Sequence, residues 1–318
     1  MRGLRLIPAG IDLSFIPKRV AFFAFSATLV AASVGLFTIK GLNYGIDFQG
    51  GIMIEVRTDQ GADIGAMRSS LLELGLGEVA LQEFGAPTDV LIRIQKQEGG
   101  DKAQQTAVTA VKTVLGSKID YRRTEFVGPK VSVELFWDGV LAVTLAILAI
   151  LVYIWFRFEW QFGLGAVVAL THDVISTVGI FSLLGLEFNL STVAAVLTIA
   201  GYSINDTVVV YDRVRENLRK FKTRPLPQLL NDSINQTLSR TVITSLTTLL
   251  ALLALFFLGG AVIRDFSFAM IWGVVIGTYS SICLAVPLLL YLNVAQRGSV
   301  AGGGGGGVEE AAAAEPAP

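Results

Sequence analysis

Long apolar runs separated by short polar links dominate this chain. Six of them, at residues 20–39, 139–156, 162–186, 188–211, 241–260 and 267–292, match the roughly 20 residues that a helix needs to cross a bilayer. Between the first two lies a segment of different rhythm, residues 40–137. Residues 52–58 alternate like a strand, and 62–74 carry Ile64, Met67, Leu71 and Leu74 at helical spacing. Residues 78–84 and 90–95 again suggest strands, 106–115 a helix with Val108, Val111 and Leu115 on one face, and 119–126 a closing strand. The order β-α-β-β-α-β predicts a small ferredoxin-like α+β domain. The predicted fold class is an α-helical integral membrane protein with this domain inserted between helices 1 and 2.

Composition agrees. Apolar residues make up 53% of the chain and charged residues 16%, against roughly 25% charged in a soluble domain. No basic stripe with interleaved aromatics points to nucleic acid. The single cysteine, Cys283, excludes an intrachain disulfide and a cysteine-cluster metal site. Arg2, Arg5, Lys18 and Arg19 precede the first apolar run. That run exceeds the about 7–15 residues of a signal-peptide core, so it reads as an uncleaved first span.

Lys and Arg in short loops set the orientation. The connection 212–240 carries Arg213, Arg215, Arg219, Lys220, Lys222, Arg224 and Arg240, and Arg157 and Arg297 follow spans 2 and 6. The links 185–187 and 261–266 hold between them only Arg264. Both termini, residues 1–19 and 293–318, are therefore expected in the cytoplasm and 40–137 in the periplasm. The tail from Ala301 is Gly-, Ala- and Glu-rich and predicts a flexible, disordered end.

Charges inside the apolar runs carry the chemical information. A carboxylate at mid-bilayer costs at least about 2.5 kcal/mol, so such residues usually face a bundle interior and are functional. Asp206 is the clearest case, because Val208–Tyr211 continue the apolar run beyond it. Ser191, Thr198, Tyr202 and Asn205 recur at helical spacing and predict a polar stripe beside it, with Ser203 adjacent in sequence. Arg240 opens span 5 and is predicted to meet Asp206 across the antiparallel hairpin. An alternative reading makes Asp206 a helix-end charge and Arg240 a topology signal. His172-Asp173 interrupts span 3, and two readings stand for it: a proton relay or a structural hydrogen bond between helices. A carboxyl group alternating between neutral and charged forms, with water reaching it from each side in turn, would be a proton-driven transport site. No metal site, cofactor site, phosphate loop, nucleophile elbow or zinc-protease motif is present, and no enzyme is predicted.

Further residues carry a family resemblance. Gly45-Ile46-Asp47-Phe48-Gln49-Gly50-Gly51 after span 1 resembles the Gly-Gly signature of the SecD/SecF family of export proteins. Val127-Gly128-Pro129 before span 2 resembles the family's Val-Gly-Pro segment. Thr171-His172-Asp173, the run from Gly201 to Asn217, and Ser239-Arg240-Thr241 are similar to its SecF branch. The resemblance spans about residues 20–292. It implies half of a pseudo-symmetric bundle of the resistance-nodulation-division type, completed by six spans from SecD, in a bacterial inner membrane. It also implies association with the SecYEG channel and YajC, and use of the proton-motive force on emerging polypeptide after SecA has acted. Asp206 and Arg240 match that family's proton-path residues. Gly50 and Gly51 are open to a plainer reading as a tight turn, and Asp47 as a local cap. The competing functions are a proton-coupled exporter of small molecules or lipids and a non-conducting assembly scaffold. The first needs a larger outer domain than 40–137, and the second has no need of a buried acid.

Overall fold

The computed structural model describes residues 12–117, 119–260, 263–292 and 294. Arg2, Arg5, Arg297 and the tail from Ala301, used above for orientation and disorder, lie outside the described residues. Helix α1 (Arg19–Lys40) ends at Gly41, whose φ of 70° breaks the helical winding. A two-residue strand β1 (Asn43–Tyr44) and one turn of helix α2 (Ile46–Gln49) lead to Gly50 and Gly51. Both glycines have positive φ, 72° and 121°, and a Cβ on Gly51 would lie 2.5 Å from the carbonyl oxygen of Ile94. Only glycine fits there.

The α+β domain follows as β2 (Gly51–Arg57), α3 (Ile64–Leu72), β3 (Val79–Phe84), β4 (Ala86–Ile94), α4 (Gly100–Leu115) and β5 (Asp120–Val127). Its four strands form one antiparallel sheet in the order β3-β4-β2-β5. Strand periodicity sends Ile52, Ile54, Val56, Val90 and Ile92 to one face, where they pack with Met67, Leu71, Ala107 and Val111 from the two helices. Met53 and Leu91 point to the other face and pack with Ile46.

Arg57 and Asp89 face each other across β2 and β4 with two hydrogen bonds, 2.5 and 2.6 Å. Those bonds hold the Asp89 carboxyl below the ordinary carboxylate range. A carboxylate whose folded value is depressed adds stability above its ordinary value, near 4, and loses it as pH falls through the folded value. Asp89→Asn is therefore expected to lower the melting temperature near neutral pH and to flatten its fall in acid. An unchanged acid limb in melting curves would contradict this.

Helix α5 (Pro129–Arg157) starts with proline in its first turn, where the missing N–H costs nothing. Then come α6 (Trp160–Leu184), β6 (Glu187–Phe188), α7 (Leu190–Lys220), α8 (Leu226–Leu258) and α9 (Arg264–Ser280). The last continues through a π turn, Ser281–Ala285, to Leu288. Among the described residues, six helices are thus long and apolar enough to cross a membrane, and the protein is a mostly helical, multi-pass membrane protein.

Helices α6, α7 and α9 form the enclosed centre, while α1, α5 and α8 are largely open to their surroundings. Small residues allow close approach: Gly179 meets Ser33, Gly273 meets Ile199, and Gly277 faces the Ser203 Cβ. The connection 212–240, read from the sequence as a loop, is mostly helix: α7 runs on to Lys220 and α8 begins at Leu226. Its apolar positions explain the difference. Val214, Leu229, Leu230 and Ile234 share one buried core, and Asn217 donates to the Ser233 hydroxyl at 2.8 Å.

Candidate functional site

The crossing of α6, α7 and α9 holds a buried polar cluster. Asp173 on α6 is fully buried. Its Oδ2 accepts hydrogen bonds from Ser203 of α7 (2.6 Å) and Ser280 of α9 (2.7 Å), and its Oδ1 lies 2.9 Å from His172 Nδ1. One carboxylate thus ties three helices together. Its main-chain oxygen accepts from Ser176 and Thr177 one turn on, a pattern common for hydroxyl side chains in helices.

His172 is also buried, and its Nε2 has no hydrogen-bond partner among the described residues. The ring tilts toward Tyr279, with centroids 6.2 Å apart, and the Tyr279 hydroxyl donates to the Phe22 carbonyl of α1 at 2.9 Å.

Asp206 lies one turn beyond Ser203 on the inward face of α7 and is 3% exposed. Its Oδ2 has no hydrogen-bond partner among the described residues. A carboxylate oxygen left so is costly in an apolar interior. Thr207, next along, bonds Ser281 at 2.8 Å, and Ser281 donates to the Ser203 carbonyl at 3.3 Å. A π turn starts at Ser281, next to Ser280, and the two adjacent serines bond different partners. Such turns frequently mark functional sites. The carbonyl of Ala285 at its far end accepts from the Tyr211 hydroxyl at 3.1 Å.

Two expectations need correction. The polar stripe does not lie beside Asp206. Ser191, Thr198 and Asn205 are exposed on the outward face of α7, and Tyr202, half-buried between the two faces, donates to Ser245 of α8 at 3.3 Å. Neighbours in a helix point about 100° apart, so Asn205 and Asp206 diverge although adjacent. Nor does Arg240 form a direct ion pair with Asp206, for it is exposed on α8. The helical continuation of α7 and α8 places Arg240 well inside α8 rather than at its start.

The glycine-rich signature builds a second polar junction, at the end of the membrane unit next to the α+β domain. Strand β1 pairs in parallel with β6, Asn43 opposite Glu187 and Tyr44 opposite Phe188. The Gly45 amide donates to the Phe188 carbonyl at 2.9 Å, and a Cβ on Gly45 would meet Glu187 Oε1 at 2.5 Å. Asp47 is no local cap. Its Oδ2 accepts from the main-chain N–H of Leu190, the first residue of α7, at 2.9 Å. Asn189 caps the same helix in a reciprocal pair with Thr192. Gly128 and Pro129 start α5, and Ser132 packs 3.1 Å from a Cβ position on Gly50.

Sequence reasoning missed Ser280 and Ser281, although two serines inside an apolar run were a usable signal. It also missed Arg93 of β4, which donates to Asn43 Oδ1 (2.9 Å) and to the Glu187 carboxylate. No sequence signal joins residues so far apart. Among the described residues, no group of three or more His, Cys, Asp or Glu is placed to hold a metal ion.

Comparison with known proteins gives a consistent picture. Residues 106–295 match the family described as protein export membrane protein SecD/SecF, C-terminal, and residues 35–62 match the SecD/SecF GG motif. The protein translocase subunit SecF of Rickettsia akari is 49% identical over 288 residues, covering 90% of this chain and 94% of the relative. That of Rhodobacter capsulatus is 48% identical over 306 residues, 92% of each chain. A crystal structure of SecDF from Thermus thermophilus, described as a translocon-associated membrane protein, superposes with a TM-score of 0.82 at 39% identity. It covers 91% of this chain, and this chain spans only 40% of its length. SecDF in a super-membrane-facing form gives a TM-score of 0.67 at 38% identity over the same shares.

Proposed function

Since the chain belongs to the SecD/SecF family of protein export membrane proteins, we propose that it is a SecF-type translocase subunit in which Asp206 gains and loses a proton to drive the late stage of polypeptide export. The observation that carries this reading is the buried Asp206 carboxyl, with one oxygen unpartnered among the described residues. A static scaffold has no use for such a group. Arg240 acts on it from the open side of α8, supporting the charged form in one phase of the cycle. Asp173, held by the Ser203 and Ser280 hydroxyls and set against His172, serves as a fixed anchor between helices, and His172 and Ser203 support the path beside it.

SecD is the proposed partner. The related SecDF chain is far longer than this one. The outward face of α7, with Ser191, Ala194, Thr198, Gly201 and Asn205, is too polar and small-sided for lipid and suits a packed helix. The SecYEG channel, YajC and the moving polypeptide complete the assembly, with SecA acting beforehand. The α+β domain is read as ferredoxin-like, since its strand order is that of the split βαβ arrangement. It is placed in the periplasm of a cell whose inner membrane holds the six spans, with the basic tip of the α7–α8 hairpin in the cytoplasm. The domain is small for a porter pocket, which disfavours the small-molecule or lipid exporter.

The test is co-purification with the partner subunits, followed by export into vesicles with and without a proton gradient. Arg240→Lys is expected to keep a reduced gradient response and Arg240→Met to lose it. If the Met variant matches the parent, Arg240 only sets topology.

A further inference from the structure

The α+β domain is tethered to the membrane unit by two glycine-containing connections. Gly50-Gly51 has two consecutive positive φ angles, and Gly128 leads directly into Pro129 of α5. A third link is non-covalent. Arg93 projects from the face of the sheet opposite its helix-covered core, on the same side as Leu91. It bonds Asn43 and pairs with Glu187.

Glu187 is set in turn against the start of α7, the helix that carries Asp206. It lies three residues before Leu190, and Thr192 of the first turn donates to its main-chain oxygen at 3.1 Å. Asp47 holds Leu190 from the other side. The two charged side chains are only 19% and 13% exposed. Burial pushes the Glu187 carboxyl up, and Arg93 draws it back down. A desolvated pair of this kind is geometrically specific, and removal of either partner leaves a costly orphan charge.

We propose that Arg93 and Glu187 form the strut through which displacement of α7 is passed to the α+β domain, acting as positioning residues for export outside the proton path. This rests on the reading of Asp206 given above. Without the strut, the domain would swing on its glycine connections and the proton cycle would run without doing work on polypeptide. Gly45 belongs to the same device, since any side chain there would displace the Glu187 carboxylate.

The experiment uses the full chain assembled with its partner in proteoliposomes, at equal amounts of intact complex. Two quantities are read together: proton influx, from a lumenal pH dye, and gradient-stimulated export. Arg93→Gln and Glu187→Gln are each expected to reduce stimulated export about tenfold or more, as loss of positioning does, while proton influx stays near the parent level. The exchange Arg93→Glu with Glu187→Arg is expected to restore most of the export. Parent-like export in the single variants overturns the proposal, as does loss of influx together with export, or an exchange no better than the single changes. Asp206→Asn, run in parallel, separates the two ideas. If it leaves influx intact, the proton-path reading fails by itself, whatever the strut variants do.

Discussion

Replacing Asp206 with Asn is expected to abolish the proton-gradient-dependent part of export while leaving the six-span unit assembled. The substitution preserves shape and removes only the ability to ionise. The side chain is 3% exposed, and its Oδ2 has no partner to lose among the described residues. The packing of Ser203, Thr207 and Val210 on the same face of α7 stays in place, so the effect falls on turnover and not on folding. Export that needs no gradient should persist. The measurement is vesicle export with the gradient present and then collapsed, on complexes shown to contain every subunit. A variant that still responds fully to the gradient would end the proton-path reading.

Asp173→Ala is expected to have the largest effect on stability, and of a different kind. It removes the acceptor shared by Ser203 and Ser280 and the partner of His172, all within a fully buried crossing of three helices. Stranding buried polar groups costs about 1–3 kcal/mol each. With three affected, a loss of about 3–5 kcal/mol follows, the range seen when one partner of a buried charged pair is deleted. The readout is the unfolding temperature in detergent and the yield of assembled protein. Asp173→Asn keeps one acceptor oxygen and should fall between. If Asp173→Ala assembles as well as the parent and fails only in export, Asp173 belongs to the proton path and is not an anchor.

Much of the architecture was legible because the physics behind it is local. Apolar length specifies a span, and the alternation at residues 52–58 and 90–95 specifies strands that the structure places at Gly51–Arg57 and Ala86–Ile94. The buried acids were legible for a similar reason, since Asp173 and Asp206 stand out against apolar neighbours. What failed was angular and long-range. Periodicity placed Asn205 and Thr198 on one stripe but not which way that stripe faced. The α7–α8 hairpin looked like a loop because its charges masked the apolar positions Val214, Leu229 and Ile234. The pairing of Arg93 with Glu187, and of Asp47 with Leu190, joins residues far apart in the chain. Only the folded arrangement brings them together.

The wide turn at Ser281–Ala285 gives α9, the most enclosed span, a point where its winding changes. Tightening it to ordinary α geometry would rotate Val286–Leu288 by about 100° relative to Arg264–Ser280. Ser280 would stay on Asp173, whereas Ser281 would withdraw from Thr207 and the Ala285 carbonyl from Tyr211. One end of the span would remain clamped while the other turned like a key, and the side chain next to Asp206 would be the first to register it.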